Sequence, residues 1–152
     1  MPSGAGRLRA VTERTLVILK PDTVRRGLVG EVLGRYEAKG LRIAALEQRH
    51  LTGEIADAHY AEHLERAFYP PLRTFITSGP SVVGVLEGDE AVEVVRLLNG
   101  ATDGRKAAPG TIRGDLSMSN RENLVHGSDS AESAVREIAL FFPALPVLPA
   151  AE

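Results

Sequence analysis

Four histidines, one lysine and two arginines hold most of the chemical potential of this sequence. His126 ends the short apolar run Asn123-Leu124-Val125-His126, follows a long stretch poor in apolar residues, and precedes Gly127-Ser128-Asp129 at an expected helix start. An imidazole largely neutral near pH 7 keeps one ring nitrogen free and can serve as a covalent nucleophile. Position alone fits equally well a turn histidine that caps the following helix. His59 and His63 stand four apart on an expected helix with Glu62 between them, so they could share a face. A zinc-protease pattern would need Glu directly after the first His, but Tyr60 is there and no third ligand is obvious. Both are therefore expected on the helix surface. His50 falls in a strand-to-helix connection and is expected to be solvated.

Phosphate chemistry would have to rely on side chains. The sequence contains neither a Gly-x-x-x-x-Gly-Lys-Ser/Thr loop nor a Gly-x-Gly-x-x-Gly after a strand. Lys20 at a strand end, Arg96 on the polar flank of a helix and Arg113 in a long loop could converge, with the Thr102 hydroxyl, on a di- or triphosphate. Each cation taken singly also fits a solvated surface charge.

The elements that must position these groups follow from apolar spacing. Thr15 to Lys20 is a buried strand ended by Pro21. Val29, Val32, Leu33 and Tyr36 mark a helix over 29–39, with Gly40 at its C-terminal cap. Leu41 to Leu46 reads as a second strand with imperfect alternation. Thr52 caps a helix bearing Ile55, Ala58 and Tyr60, and a short helical piece carries Leu72, Phe75 and Ile76 after Pro70-Pro71. Ser81 to Leu86 is a β-branched strand, followed by a helix with the stripe Ala91, Val94, Val95 and Leu98. From Gly100 to Glu122 no apolar period is sustained, and structureless stretches of that length are usually functional. Asn123 to His126 forms a strand. Asp129 is expected to cap a last helix, with Glu132 three residues on and the stripe Ala131, Ala134, Val135, Ile138 and Phe142. The order is an α+β pattern around one sheet.

Composition bounds the function classes. The 152 residues suggest one domain, read as 13–152 after a loose N-terminal extension over 1–12. A net charge of −2 supplies no basic field for nucleic acid, and the absence of cysteine excludes disulfides, thiolate metal sites and a Cys nucleophile. No apolar run approaches a membrane span or a signal-peptide core, so a soluble, cytoplasmic protein is expected.

Lys20-Pro21-Asp22, Arg25-Arg26-Gly27-Leu28-Val29-Gly30-Glu31, Phe68-Tyr69-Pro70, Ser78-Gly79-Pro80, Pro109-Gly110-Thr111-Ile112-Arg113-Gly114-Asp115 and Asn123-Leu124-Val125-His126-Gly127-Ser128-Asp129-Ser130 together resemble the nucleoside diphosphate kinase family. The resemblance runs from about Glu13 to Phe142. It implies a ferredoxin-like α+β sandwich with a four-stranded antiparallel sheet. It also implies a phosphotransferase in which His126 takes the γ-phosphoryl group of a nucleoside triphosphate and passes it to a nucleoside diphosphate, maintaining NTP and dNTP pools. Lys20, Arg96, Thr102 and Arg113 would then hold phosphates, Lys20 also the ribose hydroxyl, and Asn123 the sugar 3′-hydroxyl. Phe68 would stack on the base beside Leu72. Glu137 matches the acid that fixes the histidine through its other ring nitrogen, and Tyr60 a tyrosine close to that ring. Mg2+ would arrive on the nucleotide phosphates, with Asp129 reaching it at most through water.

Three positions depart from the usual family pattern: Thr23 for Gly, Ala67 for Pro, and Asp103-Gly104 for Asn-Pro. None removes a chemical group from the site. The resemblance further implies a homo-oligomer, a hexamer with a tetramer as runner-up, and neither membrane nor specific nucleic acid as partner. A catalytically silent nucleotide-binding module is the alternative reading, and a His59–His63 metal hydrolase lacks ligands.

Overall fold

The computed structural model describes residues 12–148. Leu16, Val17, Ile18 and Leu19 expose no surface at all. Successive strand residues point to opposite faces, so this uninterrupted apolar run belongs to a strand covered on both sides. That strand, β1 (Thr12–Leu19), lies inside a four-stranded sheet of order β2-β3-β1-β4, every pairing antiparallel. The other strands are β2 (Arg42–His50), β3 (Pro80–Asp89) and β4 (Val125–Gly127). Two β–α–β halves interleave in one sheet, which is the ferredoxin-like arrangement. Against Val17 and Leu19 pack α2 (Val29–Lys39) and α5 (Ala91–Asn99), through Val32, Tyr36 and Val95. Against Leu16 and Ile18 pack α3 (Gly53–His59), α4 (Tyr69–Ile76) and α7 (Ala131–Phe141), through Ala56, Ile76 and Phe141.

Several local expectations hold for the reasons given. Gly40 ends α2 at φ 112°, in the left-handed region that favours glycine. Thr52 caps α3 by accepting the Ile55 N–H at 3.2 Å. The imperfect alternation of the second strand has a cause: the β2–β3 register shifts between Ile43 and Ala45, as at a bulge. Beyond it β2 continues to His50, whose exposed ring donates Nε2–H to the Thr77 carbonyl at 2.6 Å.

Other expectations are corrected. Thr12, assigned to the N-terminal extension, already pairs with Asp89, while residues 1–11 of that extension and the end of the chain from 149 lie outside the described residues. Helix α1 (Pro21–Arg25) immediately follows β1, too short to show a period. The stretch from Gly100 to Glu122 contains α6 (Ile112–Leu116), started by Thr111, whose hydroxyl accepts the Gly114 N–H at 2.9 Å. Ser130, not Asp129, caps α7, accepting the Ser133 N–H at 3.0 Å, and this leaves Asp129 outside the helix. On α7 the buried positions are Ala134, Glu137 and Phe141, while Val135 is 72% exposed. No helix among the described residues is long and apolar enough to cross a membrane.

The rest of that long segment is folded onto itself. Gly104 is buried, donates its N–H to the Ser119 carbonyl at 3.0 Å, and lies so close to Ser117 that an added Cβ would collide with its carbonyl oxygen. Neither proline nor any side chain fits there, so the glycine marks a close backbone approach rather than slack. Gly104→Ala is expected to lower the midpoint of urea unfolding, by about 1–3 kcal/mol of overpacking strain. Chemical denaturation of both proteins with equal m-values checks it.

Candidate active site

Strand β4 presents its middle residue, His126, opposite Ile18 of β1. Its Nε2 lies 2.9 Å from Glu137 Oε1, and the same oxygen accepts the Ser128 hydroxyl at 2.8 Å. Ser128 is itself held by β1, its Oγ accepting the Leu16 N–H at 3.1 Å. A buried carboxylate accepting from Nε2–H fixes that tautomer and leaves the lone pair on Nδ1. Glu137 projects from the inward face of α7, one helical turn after Ala134, which is why a carboxylate can be 4% exposed there. It is buried because it is bonded.

The residue two before the histidine is unusual. Leu124 is fully buried yet has φ 75°. A side chain in that region is strained, and both polar groups of its peptide are occupied. Its N–H donates to Asp22 Oδ2 at 3.1 Å, and its carbonyl accepts the Lys20 N–H at 2.8 Å and the Thr23 hydroxyl at 2.6 Å. Thr23, the departure from the common Gly, is thus a buried donor to this bend. On either side the chain is clasped by Arg113, which donates to the carbonyls of Asn123 (3.2 Å), Gly100 (2.8 Å) and Val125 (2.6 Å).

Lys20 and Asn123 meet in this turn. Lys20 is 7% exposed and its Nζ donates to Asn123 Oδ1 at 2.9 Å. The Asn123 amide donates onward to the carbonyls of Thr102 at 2.9 Å and Asn120 at 3.1 Å. Burial and the Arg113 guanidinium push the Lys20 ammonium down to about 8, against a smaller upward pull from Asp22. Burial also lowers Arg113 from the usual guanidinium range, and Arg96 adds to this. Asp22 moves the other way, raised by burial despite Lys20. Asp129 is held below the usual carboxylate range by its hydrogen bond with Ser133.

The other wall is aromatic. At the end of α3, His59 sits edge-on to His126, ring centroids 4.6 Å apart, and against Tyr60 at 4.5 Å and Phe141 at 5.4 Å. Its burial overturns the helix-surface expectation. Ala56 and His59, three apart, form the inward face of α3, whereas Ala58 points outward, and that spacing was visible in the sequence. Burial and the neighbouring His126 keep the His59 ring neutral, its proton affinity well below the ordinary range. Burial raises the Tyr60 hydroxyl, and Glu137 adds to that. His63, in the 3-10 turn Ala61–His63, sits 5.4 Å from the Phe68 ring, which is half exposed.

One open cavity of about 910 Å³ is lined by every residue that the family resemblance assigns to the site: Lys20, Tyr60, Phe68, Leu72, Arg96, Thr102, Arg113, Asn123, His126, Asp129 and Glu137. His59, expected on the helix surface, lines it too, with His63, and sequence reasoning missed Arg105, Arg121 and Arg136 at the rim. Arg105 is engaged by Asp103 at 2.9 Å, and Arg136 lies 3.7 Å from Glu137 Oε2. Lys20, Arg96 and Arg113 face the imidazoles of His59 and His126 and a half-exposed aromatic ring. Such a cavity suits a polyanion joined to a planar group.

The family model for nucleoside diphosphate kinase matches residues 13–147. The chain belongs to that family. A nucleoside diphosphate kinase of Nocardioides sp. is 72% identical over 132 residues, spanning 87% of this chain and 98% of the relative. The enzyme of Rhodococcus erythropolis is 63% identical over 136 residues, 89% and 98% of the two chains. Among solved structures, the kinase of Halobacterium salinarum in complex with CDP has a TM-score of 0.85 at 48% identity, covering 87% of this chain and 88% of that one. The Aquifex aeolicus kinase has a TM-score of 0.86 at 41% identity, covering 91% and 100%.

The kinase carries its buried lysine at a cost to folding. Lys20 has a folded pKa of about 8 against 10.5 when unfolded. The unfolded chain therefore holds more protons between those values, and stability from this group rises as pH climbs through the window. Below pH 8 the penalty is fully present. Lys20→Met is expected to raise the unfolding free energy at pH 7, by on the order of 3 kcal/mol at most, less what the lost Asn123 bond contributed. The variant should also lose the rise in stability between pH 8 and 10.5. Denaturation curves across that range measure both effects.

Proposed function

We propose that this kinase transfers the γ-phosphoryl group of a nucleoside triphosphate to a nucleoside diphosphate by a ping-pong route through phosphohistidine on His126. The observation that carries the reading is the Ser128–Glu137–His126 chain, which leaves the Nδ1 lone pair available inside a cavity rimmed with cations. In the first half-reaction Nδ1 attacks the γ-phosphorus, the bond from phosphorus to the bridging oxygen breaks, and the nucleoside diphosphate leaves with that electron pair. The imidazole becomes cationic, and the Glu137 carboxylate on Nε2–H stabilises that charge as it develops. The second half-reaction reverses these steps with a different diphosphate. Phosphoryl transfer asks chiefly for positioning and charge neutralisation, which Lys20, Arg96, Arg113 and the Thr102 hydroxyl supply in this reading. Asn123 and Lys20 hold the sugar hydroxyl, Phe68 stacks on the base beside Leu72, and Tyr60 packs near the reacting ring.

Mg2+ fits this site as a companion of the nucleotide. The ion prefers oxygen ligands in an octahedron and keeps much of its water. Asp129, exposed at the cavity, is the carboxylate nearest to that role and would reach the ion through water, while the ion neutralises phosphate charge. The reaction serves NTP and dNTP pools, and we place it in the cytoplasm, where those pools are spent.

Assembly follows from two features. Strand β2 is a nine-residue edge with Leu46 46% exposed, a ready surface for pairing with a second copy. The segment from Gly100 to Glu122 exposes Ala101, Thr102, Arg105 and Lys106 beside the site. Closed symmetry would brace it, and a hexamer built from dimers satisfies both surfaces, with a tetramer as the second possibility.

Incubation with γ-labelled ATP and magnesium should give acid-labile label on the protein. His126→Ala should lose both label and turnover while its circular dichroism spectrum stays native. A silent nucleotide-binding module would show no label in either protein. Stacking tolerates every base, so ATP, GTP, CTP and UTP should all donate phosphate, whereas analogues without the 3′-hydroxyl should react far more slowly. Strict selection of one base would contradict the stacking role of Phe68. Sedimentation equilibrium should give six chains of 16.3 kDa, and a stable monomer would refute the assembly.

A further inference from the structure

His59 has no role in the transfer just described, yet it is built into the floor of the cavity. It is 5% exposed, and neither Nδ1 nor Nε2 has a hydrogen-bond partner among the described residues. Buried imidazoles normally bond through at least one nitrogen, since an unmet polar atom costs stability. Around it stand two further donors. His59, His126 and Glu137 each offer a ligand atom within 4.8 Å of the others. All three line the same open cavity, so an ion has an entry path and water has a place to complete the coordination.

We propose that His59, His126 and Glu137 form a binding site for a borderline divalent transition ion, of which Zn2+ is the best match, and that occupancy silences the kinase. Two imidazoles and one carboxylate with an open fourth position are a donor set suited to zinc and poorly suited to magnesium, which wants oxygen. Tetrahedral zinc at ordinary bond lengths sets donors about 3.4 Å apart. The His126 Nε2–Glu137 Oε1 pair, at 2.9 Å, opens by roughly half an ångström as the ion replaces the proton between them. The inward movement falls on His59, which has no hydrogen bond to break among the described residues. Ser128, bonded to Glu137 and to β1, holds the carboxylate from behind as outer-sphere partners do.

The inhibitory half of this proposal rests on His126 Nδ1 being the nucleophile: an ion on Nε2 displaces the ring proton to Nδ1 and leaves no lone pair there to attack phosphorus. The binding half does not. Co2+, a spectroscopic stand-in for zinc, tests binding directly on the nucleotide-free protein. Titration should produce a saturable, intense visible band of tetrahedral cobalt, displaced by one equivalent of Zn2+. His59→Gln and His126→Asn should each abolish that band, and His63→Gln should leave it intact. In turnover assays with excess magnesium, Zn2+ should inhibit the wild type. His59→Gln should raise the half-inhibitory concentration, measured against its own zinc-free rate, by at least about tenfold. Absence of the band, or a band that survives His59→Gln, overturns the site. A band that depends on His59 together with zinc-insensitive turnover overturns the inhibition and the nucleophile assignment while leaving the site standing.

Discussion

The left-handed bend at Leu124 is the constraint on which the site depends. A fully buried leucine at φ 75° persists because its N–H and carbonyl are held by Asp22, Lys20 and Thr23, all from the turn that follows β1. That bend reverses the direction of the chain between Asn123 and Val125, so the asparagine amide faces Lys20 while the next residues enter the sheet. Arg113 then ties the carbonyls on both sides of the bend. Strain of this kind is tolerated only where surrounding contacts over-determine it. Two of the residues that hold the bend and its flanks, Lys20 and Arg113, also line the cavity.

Charge is the second organising feature. Burial lowers the proton affinity of both Lys20 and Arg113, and Arg113 lowers that of Lys20 further. Neutralising them with carboxylates would have made a more stable protein. Leaving them short of negative charge gives a cavity that suits an anion, at a cost to folding. On the opposite wall burial keeps His59 neutral, and the neighbouring His126, Arg136 and Lys20 add to that.

What the sequence disclosed follows from how each element is covered. β1 and β3 were legible because both faces are buried and the apolar run is unbroken. α2 and α5 were legible because one face is buried and the period is regular. α1 and α6, of five residues each, are shorter than a pattern needs and are defined by Thr111 capping and by contacts distant in sequence. The cap of α7 was misplaced by one residue, since Ser and Asp compete for that position and only tertiary demand for Asp129 at the cavity separates them. Within the site, His126 and the cations could be suspected from their positions in the chain, and the roles of Asn123, Phe68 and Glu137 came from resemblance. His59 was placed on the helix surface because an imidazole with no partner looks like a surface residue until its burial is known.

The order of the strands carries a consequence for how the protein comes into being. Lys20 stands near one end of the described chain and bonds Asn123, 103 positions later, across the junction of β1 with β4. Only three residue pairs join these two strands, and β4 is the last to be synthesised. A nascent chain can assemble β1, β2 and β3 with their helices while its cavity still lacks one whole wall. Lys20 and His126 therefore come together only after β4 has been made, and the cavity closes as the last strand of the sheet pairs with the first.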